Sequence, residues 1–487
     1  MDLLRQIDHW ADVAPDRAAH VSEGRTLTYG ELRAQSDALA SWLAERLGED
    51  RTPVAVIGHK EPEMLVAFLG VVKSGRPYVP IDTSIPAQRA ERIVENAGAA
   101  LTLSPAAVRE AMSAPRATAR PQPVSGEDPY YIIFTSGSTG EPKGVVITLN
   151  CLTAFVLWMN GEQKFTQQAE TFLNQAPFYF DLSVMDLYLS LANGGTLFSI
   201  AKEAIANPKL LYQQFAQSGI TTWVSTPSFA QMCIVEKSFG AAMLPQLQRF
   251  LFCGETLANE TAAQLLDRFP EAEVWNTYGP TEATVATTSI RVTREVLAQH
   301  SPLPVGYTMP GTTIPIRGED GALVAEGGRG EIVIIGPNVS PGYLGRRDLT
   351  EKAFFAADGT RGYRTGDWGR TRDGLIFFEG RMDGQIKLHG YRIEIGDIES
   401  HLRSLPQIAD AVVLVVEKGG KPDSLSGFVV LRERGAGSEF EVGLALKKQL
   451  GERLPAYMVP RKFWFLEAFP MTPNGKADRR KLAEMLR

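Results

Sequence analysis

The sequence predicts an α/β fold, with a large N-terminal lobe of mixed and parallel sheets flanked by helices and a small α+β C-terminal lobe joined by a hinge. Three observations carry this. Helical and strand periodicities alternate from the start of the chain, the pattern of βαβ units and parallel sheets. At 487 residues the chain exceeds what one hydrophobic core usually organises. A break in the pattern follows Gly380, where Asp383 and Gly384 separate two differently organised stretches.

In chain order, Tyr29, Leu32, Leu39, Trp42 and Leu43 recur at near-helical spacing within residues 28–47, which predicts a helix. The apolar run 54–58 reads as a strand, 63–74 as a helix and 78–82 as a strand ending in turn residues. Residues 104–128, rich in Ala, Pro, Arg and Ser, read as a helix and a surface connection rather than a domain boundary. Apolar runs at 131–134 and 273–275 read as strands feeding two polar motifs. Beyond Gly380, residues 395–402 and 442–450 read as helices, and 411–416 and 427–431 as strands. The expected lobes are therefore 1–381 and 382–487, with the hinge at Asp383.

Composition narrows the function classes. Hydrophobic residues make up 44% and charged residues 22%, as in water-soluble enzymes. A formal charge of -6 gives no electrostatic footprint for nucleic acid, so a small substrate is expected. The opening residues lack a basic leader, and apolar runs such as 411–416 fall far short of the roughly 20 residues that span a bilayer, so a cytoplasmic location without membrane insertion is expected. Cys151, Cys233 and Cys253 have no C-x-x-C spacing and the six histidines no ligand spacing, which argues against a metal cage or disulfide framework.

The densest motif runs from Tyr131 to Gly144, where an apolar strand enters a loop containing Thr135, Ser136, Ser138, Thr139 and Lys143. Glycine lets backbone approach an anion, hydroxyls donate to phosphate oxygens, and the lysine adds positive charge. A Walker A loop needs Lys followed by Ser or Thr, whereas Gly144 and Val145 follow Lys143 here. Alone, such a loop could be an ordinary turn. Its company decides: Asn276-Thr277-Tyr278-Gly279-Pro280-Thr281-Glu282, Tyr363-Arg-Thr-Gly-Asp367, Phe378-Glu-Gly-Arg381 and Pro473-Asn-Gly-Lys476 follow in order.

With these motifs the chain resembles the adenylate-forming superfamily of amino-acid adenylation enzymes, acyl-CoA synthetases and luciferases, over nearly its whole length. The resemblance implies ATP and Mg²⁺ as cofactors and two half-reactions between which the small lobe rotates. It implies that Thr135, Ser136, Ser138, Thr139 and Lys143 hold the β and γ phosphates, and that Tyr278 stacks on adenine while Asn276 meets its polar edge, within the motif that includes Thr277, Gly279 and Pro280. Thr281 would meet the α-phosphate and Glu282 the magnesium ion. Asp367 and Arg381, with Phe378 beside them, would hold the ribose, and Lys476 would bridge substrate carboxylate and α-phosphate.

The expected substrate class rests on Asp181, which the resemblance implies pairs with the α-ammonium in the amino-acid branch. From the residues alone it could equally be the N-cap of a helix starting at Leu182, although Asp186 suits such a role better. Leu182, Met185, Leu251, Cys253, Thr277, Val285 and Ala286 are the pocket positions the resemblance implies. They are apolar apart from Thr277 and bulky at Met185, Leu251 and Val285, so a small aliphatic amino acid is expected. Residues 174–186, 225–230, 250–255 and 276–285 are most similar to the branch that loads D-alanine, and Cys253 would form part of a cramped wall there. The acceptor is expected in trans, as the phosphopantetheine thiol of a small acidic carrier protein or free coenzyme A, because no Gly-x-x-Ser carrier segment follows Lys476. Arg461, Lys462, Arg479, Arg480 and Lys481 could steer an acidic carrier or form an ordinary solvated face. An adenylation enzyme for another small L-amino acid in natural-product biosynthesis, an acyl-CoA synthetase and a silent ATP-binding scaffold remain the alternatives.

Overall fold

The computed structural model describes residues 3–114, 121–136, 141–165, 170–382, 385–388, 391–418, 421–433, 438–471 and 477–486. The chain divides into two compact units. The first comprises Met1–Thr83, Ala97–Phe134 and Gly144–Met382, and the second Ser84–Asn96, Thr135–Lys143 and Asp383–Arg487. Segments 84–96 and 135–143, which the sequence reading placed in the N-terminal core, thus group with the C-terminal stretch. Asp383 itself lies outside the described residues.

The first unit holds three sheets. The largest is nine-stranded, and its central strands run parallel from Glu273–Tyr278 through Arg249–Phe252, Thr222–Ser225, Thr171–Asn174 and Thr196–Ser199 to Ala18–Ser22. Antiparallel strands close both edges. These strands are buried on both faces, which is why they read as continuous apolar runs rather than alternating ones. A six-stranded sheet contains Val54–Gly58, Tyr78–Asp82 and Pro129–Thr135 in parallel, and ends on the short strand Gly342–Tyr343. A five-stranded antiparallel sheet is built around Thr360–Arg372, against which Leu375–Arg381 pairs.

Local sequence explains the element ends. The helix expected at 28–47 is Tyr29–Leu47, with Thr28 and Glu31 forming a reciprocal capping box. The helix expected at 63–74 is Pro62–Lys73, started by a proline whose missing N–H costs nothing in the first turn. Pro105–Ser113, capped by Ser104, is the helix within 104–128. One core covers Leu65, Phe68, Tyr131, Phe155, Leu182, Met185, Leu251 and Val285, and the helix Leu182–Ala192, buried along its whole length, is mostly apolar apart from Asp186 and two serines.

In the second unit, strands Ile408–Lys418 and Lys421–Leu431 pair antiparallel, and Lys462–Leu466 adds in parallel. Both run past the 411–416 and 427–431 expected from apolar runs alone, since ladder pairing carries polar residues along. Helices Ile395–Arg403 and Glu439–Gly451 share a core with this sheet through Ile398, Leu402, Leu446 and Leu450.

His20, fully buried on the strand Ala18–Ser22, has Nε2 2.8 Å from Ser199 Oγ, and burial lowers its pKa from 6.5 to about 3. Below pH 6.5 the unfolded chain takes up a proton that the folded chain refuses until about pH 3, so stability falls with falling pH across this window, by about 1.4 kcal/mol per pH unit. His20→Gln is expected to flatten that dependence. Denaturant titrations giving variant and wild type the same slope between about pH 6 and 4 would contradict this assignment.

Candidate functional site

The Asn276–Glu282 motif and the segment that ends at Asp181 both leave the ends of parallel strands of the nine-stranded sheet, the place at which open α/β sheets bind ligands. The strand Glu273–Tyr278 delivers Asn276, Thr277 and Tyr278, and a 3-10 turn at Thr281–Ala283 follows Pro280. Three strands away in the same sheet, Thr171–Asn174 leads through residues 175–181 into the helix Leu182–Ala192. Asp181 stands at the N-cap position of this helix, but its side chain makes no cap hydrogen bond. Its Oδ2 accepts instead from Thr281 Oγ1 at 2.6 Å, joining motifs 100 residues apart. Asp186, preferred above for the structural role, lies inside the helix, fully buried, and accepts from Asn174 Nδ2 at 2.9 Å.

A second carboxylate is held more elaborately. Asp367 and Arg381 face each other across the antiparallel pair of the five-stranded sheet, where a bulge between Asp367 and Gly369 interrupts the register. Arg381 Nη1 donates to Asp367 Oδ1 and to the Thr365 carbonyl, each at 2.7 Å. Tyr278 donates its hydroxyl to the other carboxylate oxygen, Oδ2. Burial, with the Asp367 charge added, pushes the Tyr278 phenol well above its ordinary range, so it remains a donor. The Tyr278 and Phe378 rings lie 5.9 Å apart and tilted, forming an aromatic wall beside this charge pair. Tyr278, Asp367, Phe378 and Arg381 are thus brought together, from motifs that the sequence separates by about a hundred residues.

Glu282, fully buried, accepts from Tyr343 Oη at 2.7 Å. Tyr343 belongs to the edge strand of the six-stranded sheet, and sequence reasoning missed it, because nothing near it in the chain marks it as a partner for a carboxylate. Asn276 donates its amide to the Pro304 carbonyl at 2.8 Å, and Thr277 donates to the Phe252 carbonyl at 2.8 Å, so both donors serve the protein's own backbone.

The expected pocket positions Leu182, Met185, Leu251, Cys253, Val285 and Ala286 all belong to one buried apolar cluster. Cys253 Sγ is 3.4 Å from the Val285 carbonyl oxygen. Thr284 and Val285 have φ of 52° and 69°, a left-handed conformation that a β-branched residue like Val285 rarely takes. Asn338, also missed, holds this stretch in place: it donates to Ala283 O at 2.6 Å, and its carbonyl accepts from Thr284 Oγ1 at 2.7 Å. Such strain concentrates at ligand sites because surrounding structure must over-determine it.

Thr135, Ser136 and Lys143 belong to the second unit and are described there. The Thr135 hydroxyl is buried and has no hydrogen-bond partner among the described residues. Ser136 Oγ accepts from the Glu394 N–H at 3.2 Å, and Lys143 begins the strand Lys143–Thr148. Ser138, Thr139, Asp383 and Lys476 lie outside the described residues. Of the basic cluster, Arg479 is bound to Glu399 Oε1 at 2.5 Å, while Arg461 and Lys481 have carboxylates at 3.8 and 4.0 Å, which favours a solvated, locally paired face over a steering patch.

The chain matches the sequence profile described as AMP-binding enzyme over residues 7–344, and that of the AMP-binding enzyme C-terminal domain over residues 397–476. It is 51% identical over 499 aligned positions, 99% of this chain and 99% of the relative, to a protein from Bacillus thuringiensis (strain Al Hakam) named D-alanine--D-alanyl carrier protein ligase. A protein of the same name from Bacillus mycoides (strain KBAB4) has the same identity and coverage. Among solved structures, an NRPS protein containing adenylation and PCP domains, bound to a vinylsulfonamide inhibitor, superposes with a TM-score of 0.85 at 27% identity, covering 99% of this chain and 84% of that one. A Vibrio cholerae adenylation domain in complex with glycyl-adenosine-5'-phosphate shares the fold with a TM-score of 0.85 at 20% identity, over 99% and 98% of the two chains.

Gly279 turns the chain between Tyr278 and the 3-10 turn, and a Cβ there would sit 2.6 Å from Ala286 Cα and 2.9 Å from Val285 O, both backbone atoms. Gly279→Ala is expected to lower stability by about 1–3 kcal/mol, read as a lower denaturant midpoint. An unchanged midpoint would mean that the turn is not held as tightly as these distances require.

Proposed function

The chain belongs to the AMP-binding enzyme family, and on that premise we propose that it is an ATP-dependent ligase that activates D-alanine and transfers it to the thiol of a carrier protein. In the first step a carboxylate oxygen of the amino acid attacks the α-phosphorus, the bond to the β-phosphate oxygen breaks, and pyrophosphate leaves with that electron pair. In the second, the phosphopantetheine thiolate of the carrier attacks the activated carbonyl carbon and AMP departs. The chemistry is mostly positioning and charge neutralisation.

The observation that carries this reading is the 2.6 Å contact between Asp181 and Thr281. An amino acid has its ammonium and its reacting carboxylate on one carbon. The acceptor for the first and the donor for the α-phosphate must therefore lie within a few ångströms of each other, as this pair does. A fatty or aryl acid offers no ammonium to a carboxylate 8% exposed at this spot, whereas an amino acid does. Leu182, Met185, Leu251, Cys253 and Val285 then leave the α-carbon a small apolar space, in keeping with the relatives named for D-alanine.

Asp367 would accept the ribose hydroxyls, with Arg381 and Tyr278 holding its two oxygens in place, and the Tyr278 and Phe378 rings would flank adenine. The Thr135 hydroxyl, buried without a partner among the described residues, suits a phosphate oxygen, beside Ser136, Ser138, Thr139 and Lys143. Magnesium takes few carboxylate oxygens together with phosphates and waters. Glu282 fits that need, and among the described residues no three of His, Cys, Asp or Glu gather to hold an ion without phosphates. The ion would draw charge from the triphosphate oxygens. Lys476 keeps the role the Pro473–Lys476 motif implies, and the division at 381/382 with Asp383 as hinge belongs to the same proposal. No helix among the described residues is long and apolar enough to cross a membrane, and the cytoplasm, where ATP is made available, is the proposed location.

Pyrophosphate exchange into ATP is expected to be fastest with D-alanine when L-alanine, glycine, serine, valine, proline and acetate are compared. Fastest exchange with an L-amino acid would move the enzyme to a biosynthetic role, and exchange with acetate alone would favour an acyl-CoA synthetase. Lys476→Ala should lower the exchange rate by about 10²-fold or more. Asp181→Asn should raise KM for the amino acid by roughly 10²-fold with little change in KM for ATP, because the charged partner of the ammonium is lost.

A further inference from the structure

The segment that delivers Asp181 is gripped from below by a lysine that adenylation does not use. Lys60 lies in the turn between the strand Val54–Gly58 and the helix Pro62–Lys73 and is 1% exposed. Its ammonium donates to Asn174 Oδ1 at 2.5 Å and to the Ala176 carbonyl, and sits 4.6 Å from the centre of the Phe178 ring. Residues 174, 176 and 178 are alternate positions along the connection that ends at Asp181, so one cation fixes most of its course. Asn174 is itself held from the other side, accepting from Ser199 Oγ at 2.7 Å and donating to Asp186 Oδ1 at 2.9 Å.

A lysine is a costly way to build a core. Burying its charge needs compensating partners, and a methionine of similar length would fill the space without that penalty. What the ammonium adds is direction, since it can satisfy two carbonyl-type acceptors and a ring face at once. We propose that Lys60 is a positioning residue for amino-acid recognition: by clamping Asn174, Ala176 and Phe178 it sets where the Asp181 carboxylate meets the substrate ammonium. This assignment rests on the reading of Asp181 as the ammonium acceptor.

The clamp is also sensitive to pH. Burial lowers the Lys60 pKa to about 8, opposed by Asp186 on the helix Leu182–Ala192 and Asp82 at the end of the strand Tyr78–Asp82. Asp82 is held by His59 Nδ1 at 2.6 Å, and His20 on the strand Ala18–Ser22 is kept neutral beside Lys60. Burial pushes the Asp186 carboxyl well above the usual carboxylate range, with the Lys60 charge acting against that. As pH rises through about 8 the ammonium loses its proton and the grip loosens.

The test compares KM values for D-alanine and ATP in full-length wild type, Lys60→Met and Asp181→Asn by pyrophosphate exchange from about pH 6.5 to 9. Lys60→Met is expected to raise KM for D-alanine roughly tenfold, the loss of charge-assisted hydrogen bonds, with KM for ATP within about twofold. The wild-type rise in amino-acid KM near pH 8 should vanish in this variant. If Lys60→Met lowers the melting temperature while both KM values and the pH profile stay as in wild type, Lys60 is only a stabilising residue and the proposal falls. Should the variant not fold, a wild-type amino-acid KM that is flat across pH 7 to 9 overturns it instead. An unchanged amino-acid KM in Asp181→Asn overturns both the Asp181 reading and this one. A raised KM there with an unchanged KM in Lys60→Met overturns Lys60 alone. If another amino acid supports faster exchange than D-alanine, the same comparison is made with that substrate, so the D-alanine reading can fail without deciding this one.

Discussion

Burying a carboxylate obliges a fold to supply its donors, and in the first unit that obligation falls on Asp181, Glu282 and Asp367 together. Each is answered from a distant part of the chain: Asp181 by Thr281, Glu282 by Tyr343, and Asp367 by Tyr278 and Arg381. Because Tyr343 sits on the six-stranded sheet and Asp367 on the five-stranded one, the same contacts that settle the charges tie these sheets to the nine-stranded sheet that carries Tyr278, Thr281 and Glu282. Site assembly and the joining of the sheets are thus one event. Removing a donor from a buried carboxylate is more costly than losing an exposed ion pair.

A second constraint is steric. The turn after Tyr278 passes so close to Val285 and Ala286 that Gly279 has no room for a side chain, and the chain then takes two left-handed residues without a glycine. Asn338 holds this conformation, its side-chain amide donating to the Ala283 carbonyl and its backbone carbonyl accepting from Thr284 Oγ1. The result brings the Val285 carbonyl to 3.4 Å from Cys253 Sγ, within the buried cluster that also holds Leu251. A pocket whose wall is strained backbone cannot relax to admit a larger side chain as easily as one lined by rotatable groups, which is a physical basis for preferring a small amino acid.

Much of the architecture was legible in the chain. The capping pair Thr28 and Glu31, the proline opening Pro62–Lys73 and the apolar runs at 54–58 and 78–82 are local signals, and each marks an element within a residue or two of its observed end. The strands Ile408–Lys418 and Lys421–Leu431 were read short because their outer residues are polar and are extended only by pairing with each other. Grouping 84–96 and 135–143 with the C-terminal stretch depends on contacts between segments hundreds of residues apart, for which periodicity carries no information.

For the site the same division holds. Residue type and motif order, by themselves, marked a hydroxyl- and glycine-rich loop before Lys143, a set of motifs like those of adenylate-forming enzymes and a carboxylate at Asp181 ahead of a mostly apolar helix. That Asp181 meets Thr281 rather than capping its helix, that Tyr278 gives its hydroxyl to Asp367, and that Tyr343, Asn338 and Lys60 support the site from outside every motif were decided only by tertiary structure. The physical reason is range. Caps, turns and periodicities are satisfied within a few residues of chain, whereas a buried charge is satisfied by whichever donor the packed sheets bring within 3 Å or so, and no local pattern specifies that donor.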